Sequence, residues 1–277
     1  MGPQTIVITG ASDGIGAAAA RTMKARGETV VLVGRDPKKT AAVAAELHAP
    51  HHVADYVELD QVRALAADLD ATYPQIDVLA NNAGGMMGPR TVTADGFEKT
   101  FQVNHLAGFL LTSLLLPKLI ASNAKVIQTA SQSAKNFGKF DIDDLQNANS
   151  YGPLTAYSNG KLANILFTRE LHRRYAGQGI AAAAFHPGIV GSNFASDTTH
   201  GTRFLYHTPV VKNLFTISPE KGAAQLVWLA EGTPGTDWQP GTYYEKKKPA
   251  RSLPEAHDDE LATRLWDDSA RMVQVPA

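Results

Sequence analysis

Along most of the chain, short apolar runs alternate with stretches whose apolar residues recur three or four positions apart. This is the pattern of buried strands separated by amphipathic helices. Thr5–Thr9 reads as a strand, followed by a glycine-rich turn and an alanine-rich helix from Ala17 to Arg26. Glu28–Val33 and Pro37–His48 form the next strand and helix, and His51–Ala54 and Leu59–Thr72 repeat the pair. A fourth strand, Ile76–Ala80, leads through a flexible loop at Gly85–Arg90 into a helical region, Thr93–Leu119. After a fifth strand, Lys125–Ala130, a polar connection from Lys135 to Gly152 precedes a helix that enters at Pro153 and runs through Leu171. Ile180–Phe185 is a sixth strand, Pro219–Glu231 a helix and Gly241–Tyr244 a last short strand; Lys246–Lys248 reads as a solvated turn and His257–Met272 as a closing amphipathic helix. Parallel strands need crossover connections, and helices supply them here. The expected architecture is therefore α/β: a doubly wound, mostly parallel, seven-stranded sheet flanked by helices, in a single domain over residues 1–277.

Composition narrows the function more than the fold. A net charge of −1 leaves no electrostatic footprint for nucleic acid or an anionic membrane. With no cysteine, disulfides, thiolate metal sites and cysteine nucleophiles are excluded. The strand at Thr5 follows the first residues without a basic leader, and the most apolar later stretch, Leu106–Leu116, is too short to span a bilayer. The expected setting is soluble and cytoplasmic. His51 and His52 do not make a metal site, because adjacent strand residues point to opposite faces and no third ligand is placed.

The chemistry begins at the first turn, Gly10-Ala11-Ser12-Asp13-Gly14-Ile15-Gly16, which lies between a strand and a helix. That is the context a dinucleotide site requires: Gly10 for the tight turn, Gly14 for backbone approach to a pyrophosphate, Gly16 for close packing of helix on strand. Amides at the helix N-terminus face the phosphates. The spacing departs from G-x-G-x-x-G, and a tight βα connection alone would use the same glycines. An acid about twenty residues on usually holds the ribose 2′-hydroxyl. Asp36 fits that count, but the second strand ends at Val33, so Gly34 takes the ribose-facing position and Arg35 follows, where a guanidinium can pair with a 2′-phosphate. NADP(H) is therefore favoured over NAD(H).

Further along, strand ends carry polar or small residues where open α/β sheets bind ligands: Asp55-Tyr56, Asn81-Asn82-Ala83-Gly84 and Ser131. Asn104 interrupts an apolar helical stretch, where an unpaired amide is costly; it holds a helix irregularity or an ordered water, or acts as a simple cap or core amide. Tyr157 and Lys161 lie one helical turn apart. An ammonium beside a phenol favours the phenolate and makes the pair an acid–base catalyst; the same spacing also fits an exposed tyrosine and a solvated lysine. The connection 193–218 is rich in aromatic residues, which suits either a lid over a bulky apolar substrate or ordinary packing.

Taken together, these motifs resemble the short-chain dehydrogenase/reductase family over nearly the full length. The pointers are TGASDGIG at 9–16, Asn81-Asn82-Ala83-Gly84, Asn104, Ser131, Tyr157 with Lys161, and Pro187-Gly188, in the family's order. Within it, the VGRD strand end, AYSNGKLANILFTREL, HPGIVGSNF and DDELATRLWDDSARMV look most like the retinol dehydrogenase and WW-domain oxidoreductase group. Many retinol dehydrogenases carry an N-terminal membrane segment that the sequence here does not show, so retinol itself is not carried over. The resemblance implies a Rossmann-like NAD(P)-binding fold and hydride exchange between a small-molecule carbonyl and alcohol, an oxidoreductase acting on CH–OH donors. It implies Tyr157 as proton donor, Ser131 bonding the same oxygen, Lys161 tuning Tyr157 and holding the nicotinamide ribose, and Asn104 supporting a water that relays protons. It places Gly10, Ser12, Asp13, Gly14, Ile15 and Gly16 at the phosphates, Asp55 and Tyr56 at the adenine, Asn82, Ala83 and Gly84 at the adenosine ribose, and Pro187, Gly188, Val190 and Ser192 at the nicotinamide amide. Ser192 stands where threonine is usual and keeps the hydroxyl; Asp13 stands where some NADP enzymes carry a basic residue. Assembly as a homodimer or homotetramer through the helices holding Asn104 and Tyr157 is also implied. A nucleotide-sensing or interaction protein on the same fold is the alternative, and the intact Ser131, Tyr157 and Lys161 argue against it. Epimerisation or dehydration of a nucleotide sugar would ask for a larger domain beyond Ser192.

Overall fold

The computed structural model describes residues 2–136, 140–188 and 217–277. An eight-stranded sheet runs β3-β2-β1-β4-β5-β6-β7-β8. Its strands are β1 (Thr5–Thr9), β2 (Thr29–Gly34), β3 (His51–Val53), β4 (Val78–Asn81), β5 (Lys125–Thr129), β6 (Ala181–Phe185), β7 (Thr242–Glu245) and β8 (Lys248–Pro249). Strands β1 to β7 are parallel; only the β7–β8 pair is antiparallel. The helices are α1 (Gly14–Ala25), α2 (Pro37–Leu47), α3 (Leu59–Thr72), α4 (Lys99–Ala121), α5 (Pro153–Tyr175), α6 (Pro219–Glu231) and α7 (Asp259–Met272).

The pleat sends successive residues to opposite faces, so each strand feeds two cores. Val7, Val31, Leu79 and Val126 pack with α3, α4, α5 and α7. Ile6, Ile8, Val30, Leu32 and Val78 pack with α1, α2 and α6. Both faces of a parallel sheet are thereby covered, as its near-continuous apolar strands require.

The structure departs from the sequence reading in four places. The solvated turn is present at Lys246–Lys247, both exposed and both at positive φ, the geometry of a two-residue hairpin turn, but Lys248 opens an eighth strand beyond it. Gln225 Oε1 accepts from Lys247 N at 2.9 Å and holds that turn. Helix α1 begins at Gly14 rather than Ala17, because the Asp13 carboxylate caps it by accepting from Gly14 N at 2.7 Å. The loop at Gly85–Arg90 is partly packed inward, with Met86 and Met87 buried. Finally, the apolar segment is not bounded at Leu106–Leu116. Helix α4 begins at Lys99, capped by the buried Glu98 carboxylate, and is by length and hydropathy able to cross a membrane; 67% of its apolar window is nevertheless buried inside this fold.

Strand order reverses between β1 and β4, which makes their carboxyl ends the topological switch point. The glycine turn, Asn82–Gly84 and Ser131 follow these ends and that of β5, while Arg35, Asp55 and Gly188 follow β2, β3 and β6.

Candidate active site

The glycine turn after β1 and the Asn82–Gly84 stretch after β4 are tied together across the switch point. Asn82 Nδ2 donates to Thr9 O at 3.0 Å, while Thr9 Oγ1 accepts from the backbone N of both Asn82 and Ala83 at 3.0 Å. From β5, Thr129 Oγ1 donates to Asn82 Oδ1 at 3.1 Å. Gly10 and Gly14 have φ of +66° and +54°, where a side chain is strained. A Cβ at Gly16 would sit 2.3 Å from Gly10 O, so the helix start and the turn touch backbone to backbone. These features form a cradle that a Cβ would fill at the N-terminus of α1, and they fit a dinucleotide pyrophosphate. Gly16→Ala is accordingly expected to abolish any protection that NADH or NADPH gives against heat, read as loss of the ligand-induced rise in melting temperature.

Next along the sheet, Gly34 leaves room for Ser12 and Thr40, since a Cβ there would lie 2.2 Å from Thr40 Oγ1. Asp36, the acid at the generic ribose spacing, is used elsewhere. Its carboxylate caps α2 by accepting from Lys38 N at 2.9 Å and Lys39 N at 3.0 Å, and these bonds hold it below the usual carboxylate range. Arg35 is exposed at the end of β2. Asp55 lies beyond β3, its carboxylate accepting from Val57 N at 3.1 Å. The ring of Tyr56 is buried in the core, which leaves its backbone as the group this position offers to a ligand.

The other residues gather at the ends of β4 and β5. Lys161 is 3% exposed, and its Nζ donates to Thr129 O at 3.0 Å, two residues before Ser131. Burial pushes its pKa down to about 7. The ammonium lies 5.7 Å from the centroid of the Tyr157 ring. A Cβ at Gly84 would fall 2.6 Å from Asn104 Oδ1 and 2.9 Å from Lys161 Nζ, so Gly84, Asn104 and Lys161 meet at one point.

Asn104 sits in a π-helical turn, Gln102–Leu106, within α4. Such bulges break the i→i−4 ladder and often occur at functional sites. Here the Asn104 side chain supplies partners: Nδ2 donates to Thr100 O at 2.8 Å and Gly85 O at 2.9 Å, and Oδ1 accepts from Gly85 N at 3.1 Å. The helix irregularity was one of the readings open for this residue.

Ser131 Oγ accepts from Ser133 Oγ at 3.0 Å and Ser133 N at 3.2 Å. Tyr243, on β7, was missed from the sequence. Its hydroxyl donates to Ser131 O at 3.2 Å, and burial, with the Glu245 carboxylate second, pushes its pKa up. Tyr243 thus touches the Ser131 backbone. Nothing in the short strand TYYE marks this tyrosine; only pairing of β7 with β6, beside β5, brings it there.

Gly188 has φ of +92°, and its N–H donates to His186 Nδ1 at 3.0 Å, which shapes the turn after β6. Val190, Ser192 and the lid segment 193–218, except Ile217 and Ser218, lie outside the described residues.

A family model for short chain dehydrogenases matches residues 4–202. The chain belongs to this family. The short-chain dehydrogenase is 39% identical to human retinol dehydrogenase 13, over 99% of this chain and 86% of that protein. It is 41% identical, over 98% of this chain and 92% of the relative, to DnrU of Streptomyces sp. strain C5, provisionally named a daunorubicin C-13 ketoreductase. Among solved structures it is similar to Pseudomonas aeruginosa RhlG in an NADP active-site complex. The TM-score is 0.69 at 25% identity, covering 88% of this chain and 94% of that one. It falls in the retinol dehydrogenase-like subgroup and is an NAD(P)-dependent oxidoreductase that interconverts carbonyl and alcohol.

Proposed function

We propose that this dehydrogenase is an NADP(H)-dependent carbonyl reductase and alcohol dehydrogenase for bulky apolar substrates, working as a single cytoplasmic domain. The observation that carries it is the meeting of Lys161, Asn104 and Gly84 at the end of β5, where Lys161 Nζ donates to Thr129 O, two residues before Ser131, and lies 5.7 Å from the centroid of the Tyr157 ring. When bound, the nicotinamide supplies or accepts the hydride. Tyr157 donates its phenolic proton to the carbonyl oxygen in reduction and takes it back in oxidation. Ser131 hydrogen-bonds that oxygen and fixes the carbonyl for attack. Lys161 stabilises the phenolate left on Tyr157 and holds the nicotinamide ribose. Asn104, fixed in its π-turn, supports a water that returns protons to Lys161.

For the cofactor, Gly10 to Gly16 would hold the phosphates, Asp55 and the Tyr56 backbone the adenine, Asn82 to Gly84 the adenosine ribose, and Pro187 to Ser192 the carboxamide. NADP over NAD rests on Arg35, exposed at the end of β2, and on Asp36 being engaged as a cap. Arg35→Ser should weaken NADPH binding about tenfold, the scale of one charge-assisted phosphate contact, and leave NADH nearly unchanged. Fluorescence titration of both nucleotides checks this.

An apolar substrate is consistent with relatives named for retinol and for the C-13 ketone of daunorubicin. Pairing through α4 and α5 would cover Leu114 and Leu154, both exposed. The overall test is NADPH consumption with a panel of decanal, all-trans-retinal and polycyclic aromatic ketones. Oxidation of NADPH with at least one of them is expected; binding of NADPH with no oxidation across apolar and polar carbonyls would favour the sensor reading.

A further inference from the structure

A thread of buried polar side chains runs from α7 to the candidate site through a core that is otherwise aromatic. Ser269 Oγ lies 2.9 Å from His105 Nε2, and His105 Nδ1 lies 3.3 Å from Asn164 Oδ1. Asn164 Nδ2 donates to Asn104 O at 3.0 Å and, more weakly, to Thr129 O at 3.5 Å. Thr129 O is the carbonyl that also receives Lys161 Nζ. Ser269, His105 and Asn164 are 0%, 1% and 3% exposed.

The polarity of the thread follows from its ends. Two backbone carbonyls can only accept, so the amide nitrogen of Asn164 must face them and its oxygen must face His105. His105 Nδ1 therefore carries the proton, Nε2 accepts, and the Ser269 hydroxyl donates to it. The ring is neutral, because burial holds its pKa down to about 4. Around it pack Phe101, Phe109 and Phe167, with Trp266 of α7 stacked on Phe167.

A fully paired polar chain in such surroundings adds little net stability over apolar residues of the same shape. What it does add is direction. The thread ends on two carbonyls, one inside the π-turn that carries Asn104 and one that anchors Lys161. Tyr157, Lys161, Asn164 and Thr168 follow heptad spacing along one face of α5, and Thr168 Oγ1 donates to Asn164 O at 2.8 Å.

We propose that Asn164 is a positioning residue for the Tyr157–Lys161 pair, and that His105 and Ser269 brace it from the C-terminal helix. It clamps the π-turn of α4 to the end of β5, so that the lysine and the Asn104 amide keep their relative placement. The proposal rests on the reading that Tyr157 and Lys161 act in the reaction.

The test compares Asn164→Leu, His105→Phe, Ser269→Ala and the His105→Phe/Asn164→Leu double variant, using NADPH and the most rapidly reduced carbonyl of the panel above. Misplacement by a fraction of an ångström should lower kcat about tenfold to a hundredfold in Asn164→Leu. NADPH affinity should stay within about threefold and KM should change little. His105→Phe and Ser269→Ala should lower kcat by smaller factors, and the double variant should be no slower than Asn164→Leu alone, because the residues act in series. Unchanged kcat in Asn164→Leu, or kcat, melting temperature and NADPH affinity falling together, would overturn the proposal. Should Asn164→Leu fail to fold, Ser269→Ala removes only a hydroxyl, and its kcat at constant KM decides. Tyr157→Phe serves as the control: normal turnover there removes the underlying reading, whereas a large loss there with Asn164→Leu intact removes only the role of Asn164.

Discussion

Tyr157→Phe should lose at least about two orders of magnitude in turnover while NADPH still binds, since proton donation by a positioned side chain contributes on that scale. The substitution removes one oxygen from a ring that is otherwise buried and packed, so little else changes. The ring keeps its place on α5, and Lys161 keeps its bond to Thr129 O. The cradle at Gly10, Gly14 and Gly16 lies on another strand end and is untouched. A loss confined to kcat identifies an interaction made in the transition state, whereas a rise in KM alone would mean that Tyr157 only helps bind substrate. Steady-state NADPH oxidation together with fluorescence titration of NADPH separates these outcomes.

Lys161→Met is expected to make the protein slower and, without cofactor, more stable. Turnover should fall by about two to three orders of magnitude, because the phenolate of Tyr157 loses the cation that favours it. The stability effect follows from burial. The Lys161 pKa falls from 10.5 to about 7 on folding, so between these values the unfolded chain holds more protons on this side chain than the folded one. Its contribution to stability therefore rises with pH across that window and is least favourable below about 7, where a charged lysine must stay buried. Methionine fills similar volume without charge. At pH 6 the variant without cofactor should melt several degrees above the wild type, a difference on the order of a few kcal/mol. The gap should shrink as pH rises toward 10, where both side chains are neutral in the fold. A gain in stability at the expense of activity is the usual mark of a residue kept for function. Calorimetry across this pH range measures it; a variant less stable than wild type at pH 6 would show that the lysine's bond to Thr129 O outweighs its burial.

The parts of this molecule that obey local rules were legible in the sequence. β1 matched its run TIVIT residue for residue, because a fully buried parallel strand is a continuous apolar run bounded by turn residues. Gly10, Gly14 and Gly16 announced a close backbone approach, and Asn104 stood out as an amide in an apolar helix. Features set by tertiary contact were not legible. Tyr243 reaches Ser131 only because the crossovers lay β7 beside β6 and β5. Gln225 props the Lys246–Lys247 turn from a helix more than twenty residues away, so the eighth strand had no local signature. Asp36 matched a spacing rule that its own cap overrides. The helical region Thr93–Leu119 was legible, but its apolar part looked as short as Leu106–Leu116 because the first turns of α4 carry Thr100, Gln102 and Asn104, polar side chains whose partners lie elsewhere in the fold.

The most direct test of the central claim is isotope transfer. The protein is incubated with NADPH carrying deuterium at C4 of the nicotinamide and with an apolar aldehyde or ketone from the panel, and the product is analysed by mass spectrometry. The account predicts an alcohol with a single deuterium on the former carbonyl carbon, formed by the wild type and nearly absent with Tyr157→Phe. An alcohol formed without deuterium from either C4 label, or formed equally well by both proteins, would contradict it.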